Sequence, residues 1–358
     1  MFGLLRGIGS GGDRRIAVFE SRALFYVLVI YVLVTNVFTT RRQYERVLMV
    51  AMVAIGVQSV FALQYYLDLP ADEQAVLERL GEHASAVHMA AVVVLLLATF
   101  LLNGTRATRW LLLAMMPAIV TAFMLSQRRA AMVALMFGAA VICFFAFHRR
   151  RRAFWVFVPA VAILGAGFVA ATWGAVGAIG LPAQAVKSVI APGTLDAADQ
   201  SSNFYREIEA TNVWFTIRNS PLLGVGFGQP FSILYRMPDI SFYEFWAYKP
   251  HHSVLWIWLK MGFLGFVATL FMIGRTIQAG ARSALDVETR REVAYVATAV
   301  AIIFMLVIYS YVDIGWDSRS MVLLGLCIAI CTDYVNASRP AAARTPSDEA
   351  RLRPELVR

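Results

Sequence analysis

The sequence predicts an all-α polytopic membrane protein with about nine transmembrane helices and one large, partly helical loop outside the membrane. Three observations predict it. Of 358 residues, 59% are hydrophobic and 15% charged, with a mean hydropathy of +0.64. A soluble domain has about 45–50% apolar and about 25% charged residues. The apolar residues fall in continuous runs rather than strict alternation, so they read as helices and not as barrel strands. The net charge of +9 sits in arginine clusters between those runs, a distribution that fits membrane loops and not nucleic-acid binding.

A hydrocarbon core of roughly 30 Å is crossed by about 20 residues of helix. Nine runs are candidates: 23–40, 46–67, 86–103, 110–125, 130–147, 153–172, 254–274, 293–312 and 319–335. Ahead of them, "MFGLLRGIGSGGDRR" has neither a long apolar stretch nor a small-residue cleavage site, so no signal peptide is expected. The chain therefore divides into N-terminal helices over 1–172, a long outer loop over 173–252, C-terminal helices over 253–336 and a tail over 337–358. The tail is rich in Ala, Arg and Pro and is expected to be disordered and cytoplasmic. Cys143, Cys327 and Cys331 all lie inside apolar runs. They read as small core residues, with no disulfide framework and no metal site.

Positive charge sets the orientation. Arg41, Arg42 and Arg46; Arg106 and Arg109; "HRRRR" at 148–152; Arg275, Arg282, Arg290 and Arg291; and the basic tail all fall on one side, taken as cytoplasmic. The other side receives Asp68, Asp72, Glu73, Glu78, Glu82, segment 173–252 and the short "VDIGWDS". Two places break the pattern. Alternation puts Arg128 and Arg129 of "SQRR" on the outer face, together with Arg14, Arg15 and Arg22 near the N-terminus. An outward arginine can grip a phosphate or diphosphate bidentately, or simply snorkel to lipid headgroups. The residues alone leave both readings open.

The outer loop has the pattern of an ordered segment. In "NFYREIEATNVWFTIRNSPLLGVGFGQPF", helical spacing puts Phe204, Ile208, Thr211 and Phe215 on one face, and Arg206, Ala210, Val213 and Ile217 on an adjacent one. Ser202 or Asn203 is the expected N-cap, and Pro221 ends the helix. Gly224, Gly226 and Gly228 read as a tight packed turn rather than a phosphate cradle, because no strand precedes them and no GK[ST] follows. His251 and His252 then stand at the outer mouth of the seventh run. On a helix, adjacent side chains point about 100° apart, so the two cannot share one metal. A histidine with a near-neutral pKa suits general-base work; the plainer reading is an interfacial residue without chemistry. Trp256 and Trp258 fit an interfacial aromatic belt. Lys260, about two turns deeper, requires a cavity or a partner. His83 and His88 share no helix face and read as structural.

Three stretches, in this order, carry a resemblance: "SQRRAAMVALMFGAAV" at 126–141, "FYREIEATNVWFTIRNSPLLGVGFG" at 204–228 and "HHSVLWIWLKMGFLGF" at 251–266. Together with "ESRALFYVLVIYVLVTNVFTTRRQYERVLM" ahead of them, they resemble the O-antigen ligase/polymerase family of bacterial polytopic glycosyltransferases over most of residues 20–335. The resemblance implies transfer of a glycan from an undecaprenyl-diphosphate carrier to a glycan or lipid A-core acceptor. It places the reaction at the periplasmic face of the bacterial inner membrane, with no metal or other cofactor. Carried across, Arg206, Arg128 and Arg129 would hold the diphosphate, with Arg22 and Arg218 as weaker candidates for the same pocket. His251 would be the general base, since the family histidine stands four residues before a leucine, here Leu255. His252 and Lys260 would serve the acceptor side; the family usually has Asn at the first position and often an acidic residue at the second. Family members usually carry several further N-terminal helices, so a shortened form or an internal start is expected. The alternative from another class is a transporter or flippase of a lipid-linked or anionic solute. It explains outward arginines but leaves the ordered loop without a role.

Overall fold

Among the described residues, twelve α-helices form where the sequence offers either a long apolar run or a capped amphipathic one. The computed structural model describes residues 2–70, 80–240, 243–287, 290–334 and 337. The helices are α1 (Phe2–Gly9), α2 (Arg14–Val37), α3 (Arg41–Asp68), α4 (Ser85–Leu101), α5 (Arg106–Leu125) and α6 (Arg129–Arg149). They continue as α7 (Arg151–Ala171), α8 (Gly177–Ile190), α9 (Ala197–Asn219), α10 (Ser253–Asp286), α11 (Arg290–Val312) and α12 (Ser318–Asp333). Polar side chains start several of them by accepting an otherwise unpaired N–H: Asp13 from Ile16, Thr105 from Thr108, and Asp317 from Ser320. Asp72, Glu73, Glu78, the side chains of Arg290 and Arg291, and the tail beyond Ala337 lie outside the described residues.

All nine predicted runs are helical, which makes the chain an all-α polytopic membrane protein. Seven of these helices, α2, α3, α5, α6, α7, α10 and α11, are long and apolar enough to cross a bilayer. The remaining two, α4 and α12, have only 17 and 16 residues. At about 1.5 Å per residue they are shorter than the roughly 30 Å core, so among the described residues seven of the nine runs have the length of a full span. Both short helices are interior. Nearly all of α4 is buried against α6 and α11, and α12 packs along α2. Irregular backbone at membrane depth is tolerated where protein covers it.

The helices alternate, so the connections gather at two ends. At one end Arg41 pairs with Glu292 at 2.9 Å, Arg149 donates to the carbonyls of Leu285 (2.7 Å) and Val287, and Arg150 donates to Leu101 O. At the other end lie residues 80–84, the α5–α6 turn, the long loop with α8 and α9, the α11–α12 turn and α1, joined by Leu80 N–H to Leu125 O and Asp13 N–H to Gly228 O.

The long loop departs from the sequence expectation in its details. Its helix α9 begins after Asp196, whose carboxylate accepts from Asp199 N, not at Ser202 or Asn203. Of the two expected faces, the one with Val213 and Ile217 turns inward, and the buried stripe also takes in Glu209, Asn212 and Thr216, while Phe204 and Phe215 are exposed. The polar members are buried because they tie down the following loop: Asn212 Oδ1 accepts from Leu234 N and Tyr235 N, and Thr216 Oγ1 from Ser232 N. The glycine turn is packed, as expected. Phe227 N donates to Gly3 O and Val225 N to Leu259 O. Gly226 sits at φ +90°, where a Cβ would overlap Gly7 of α1; only glycine permits both. A second positive φ, +70° at Gly262, bends α10 so that Phe263 N reaches Pro221 O.

Candidate active site

The turn between α5 and α6 decides where the anomalous arginines go. Gln127 takes a left-handed conformation at φ +48°, which only a few per cent of non-glycine residues adopt. The turn sends Arg128 and Arg129 inward, leaving them only 7% and 8% exposed. Arg206 arrives from α9, and Asp313, 1% exposed, from the α11–α12 turn. Asp313 divides its two oxygens. Oδ1 accepts from His83 Nδ1 and from Ile314 N, both at 2.7 Å. Oδ2 faces two guanidiniums, Arg206 at 3.4 Å and Arg128 at 3.8 Å. Arg129 binds Asp199 at 3.1 Å and Asn203 at 3.2 Å. Together Arg128, Arg129, Arg206 and Asp313 line a cavity of about 490 Å³ whose apolar wall includes Val133, Phe137 and Ile308.

Charge is unbalanced here. Burial alone would raise the Asp313 pKa, but the hydrogen bond from His83 and the guanidiniums of Arg206 and Arg128 outweigh it and hold the carboxyl well below its ordinary range. Burial holds the His83 imidazole below its usual value despite Asp313, so it is neutral at pH 7. At 2.7 Å from a carboxylate, Nδ1 must carry the proton, and the 3.0 Å approach of Arg128 Nη1 to the same nitrogen is then a close contact between donors. The Nε atoms of Arg128 and Arg206 are buried and have no partner, an arrangement that native proteins rarely leave unfilled. His83, His251 and Asp313 also bring three metal-type donor atoms within 4.8 Å of one another. With two guanidiniums against one carboxylate, however, the surroundings suit an anion better than a cation.

His251 lies just outside α10, not on it. That frees its backbone N–H, which donates to Glu209 Oε2 at 2.7 Å, while the ring Nδ1 approaches the same carboxylate at 3.1 Å. Glu209 is buried on α9, one turn from Arg206. The rings of His83 and Tyr205 contact His251 edge-on at 5.5 and 5.7 Å; burial and the Glu209 charge push the Tyr205 phenol up. His252 instead caps α10, its Nδ1 accepting from Leu255 N, and its ring meets Tyr311 of the cavity wall at 4.6 Å.

Five residues singled out by sequence do not line this cavity: His251 and His252, which stand beside it, and Lys260, Arg22 and Arg218. Lys260 is fully buried, 3.0 Å from Glu20 and 2.6 Å from Gln229 O, in a cluster that also contains Trp256. The partner that its depth demanded is therefore structural. Arg22 is exposed over the Phe19 ring, and Arg218 is exposed in the last turn of α9. Conversely, sequence reading treated His83 as structural and passed over Glu209, Tyr205 and Asp313. Only Glu209 offered a signal, three residues from Arg206 on a predicted helix.

Residues 114–270 match the family model described as O-antigen ligase. A curated O-antigen ligase of Salmonella typhimurium is 29% identical over 93 residues, which cover 24% of this chain and 23% of that protein. The alignment thus spans about a quarter of the relative's length. The family match takes in Arg128, Arg129, Arg206, Glu209 and His251. Both matches support a likeness of this chain to the O-antigen ligase/polymerase family.

Proposed function

We propose that this protein transfers a glycan from an undecaprenyl-diphosphate carrier to an acceptor hydroxyl, another lipid-linked glycan or a lipid A core, at the periplasmic face of the inner membrane. One observation carries the reading. A buried arginine, Arg128, and a partly exposed one, Arg206, converge from separate elements on a single carboxylate beside a cavity, leaving an excess of positive charge and two unpartnered Nε donors. A diphosphate supplies the missing acceptors, and guanidiniums bind it bidentately. The apolar wall at Val133, Phe137 and Ile308 suits the adjoining polyprenyl chain. Sidedness follows from the arginine-rich connections at the opposite end, which the positive-inside rule assigns to the cytoplasm.

The chemistry follows from the geometry. With Nδ1–H held by Glu209, His251 presents Nε2 as the basic nitrogen. It removes the proton from the acceptor hydroxyl as that oxygen bonds to the anomeric carbon. The bond from that carbon to the diphosphate oxygen breaks, and the departing charge falls on Arg128 and Arg206, with Arg129 beside them. Glu209 stabilises the resulting imidazolium. No residue in this scheme needs a metal ion.

The test is transfer by the purified protein in vesicles, with a polyprenyl-diphosphate oligosaccharide and a hydroxyl acceptor. Product is expected from wild type and not from Arg206→Ala or His251→Ala. Transfer surviving both substitutions would remove Arg206 and His251 from these roles, and no transfer by wild type would favour transport of a lipid-linked solute.

A further inference from the structure

We infer that His83 is a positioning residue that keeps Arg128 and Arg206 available for the substrate by holding Asp313 through one oxygen. The inference rests on reading those arginines as the diphosphate site. A buried carboxylate facing a guanidinium normally pairs with it bidentately, which would satisfy both groups and close the site. Asp313 does not. Its Oδ1 is committed to His83 Nδ1 and Ile314 N, both at 2.7 Å, so only Oδ2 is left for two guanidiniums, at 3.4 and 3.8 Å. Both contacts are longer than a good charge-assisted hydrogen bond of about 2.7–2.9 Å, and both Nε atoms stay unused.

His83 is itself anchored. Its carbonyl accepts from the Tyr309 hydroxyl, which fixes the backbone of the α3–α4 connection against α11. Ser253 Oγ bonds Asp313 O and Gly315 N, each at 3.1 Å, so the carboxylate's own backbone is held as well. The remaining freedom is the Asp313 side-chain rotation, which His83 restrains together with the Ile314 N–H. Asp313 then keeps two like-charged arginines together in the unliganded site without consuming them. Without His83, the carboxylate can turn both oxygens to the guanidiniums, and the substrate must break that pair to bind.

The experiment measures binding of undecaprenyl diphosphate in mixed micelles by quenching of intrinsic tryptophan fluorescence. Wild type, Arg206→Ala, His83→Ala and His83→Asn are compared, with transfer kinetics alongside. The asparagine amide nitrogen occupies the place of Nδ1, so it keeps the donor to Oδ1 while removing the second ring nitrogen. His83→Ala is expected to bind about tenfold more weakly and to raise KM for the donor more than it lowers kcat, with His83→Asn restoring both. If His83→Ala is unstable, His83→Leu fills the same space without a donor and repeats the comparison. Binding lost in Arg206→Ala but unchanged in His83→Ala would overturn this inference alone. Wild type that does not bind, or Arg206→Ala that binds normally, would defeat the diphosphate reading beneath it. His83→Asn behaving like His83→Ala, with activity sensitive to chelation, would replace the positioning role with a metal-ligand one.

Discussion

The two ends of the helical bundle both use arginine, and they use it in opposite ways. At the basic end Arg149 and Arg150 donate to helix-terminal carbonyls, and Arg41 meets Glu292. Their charge fits the membrane's sidedness, and their donors meet carbonyls or a carboxylate. At the other end Arg128 and Arg129 are buried and Arg206 is partly exposed, and Arg128 and Arg206 share one oxygen of Asp313. The difference lies in surroundings and not in residue type. Arginines matched one by one to acceptors report topology. Arginines that converge at a cavity and outnumber their carboxylate report an anion still to come.

The strongest way to break that comparison is to remove one arginine from each end. Arg206→Ala should lower transfer by about 10²–10³-fold, the scale of losing a donor that stabilises developing charge. Arg149→Ala should leave transfer intact and cost about 1 kcal/mol or less in stability. Equal effects of the two on transfer would erase the distinction. His251→Ala should fall in the same range as Arg206→Ala, since general-base catalysis contributes typically about 10²–10⁴-fold.

A second test separates buried charge used for architecture from buried charge used for chemistry. Lys260→Ala strands Glu20 without its cation and should destabilise the protein by about 3–5 kcal/mol. Lys260→Met combined with Glu20→Leu should recover most of that and retain transfer. A stable double variant with no transfer would move Lys260 into the site after all.

Smaller effects sharpen the picture. Glu209→Gln keeps the shape but cannot stabilise an imidazolium, so kcat should drop about tenfold or more while donor binding holds; a KM effect alone would argue for packing. His83 gives a pH signature. Its folded pKa lies below the ordinary value because of burial, so folding favours the neutral ring. That contribution is complete above about pH 6.5 and is lost as pH falls below it. His83→Asn cannot be protonated there, so its Tm should fall less than that of wild type between about pH 7 and about pH 5. Identical falls would mean that the ring is not desolvated as the structure has it.

Much of the fold was legible because hydropathy is a local property. Nine apolar runs became nine helices, and the missed lengths of α4 and α12 reflect interior positions that no window of sequence reveals. Arg128 and Arg129 were legible by violation, since they broke a charge rule that the rest of the chain obeys. The inward face of α9 was legible only at Val213 and Ile217, because Asn212 and Thr216 look solvent-facing until the loop they bond is seen.

By itself, then, the sequence determined that this chain is a helical membrane protein, which end carries the basic connections, and which arginines and histidine stand out against that background. Each follows from residue type and short-range spacing. Only the tertiary structure decided that His83 meets Asp313 across 230 residues, that Glu209 meets His251 across 42, and that Arg206 reaches Asp313 across 107. It likewise assigned Lys260 to a buried pair with Glu20. Such pairings depend on how the helices pack and turn, and a buried charge declares its purpose only through the neighbours that packing gives it.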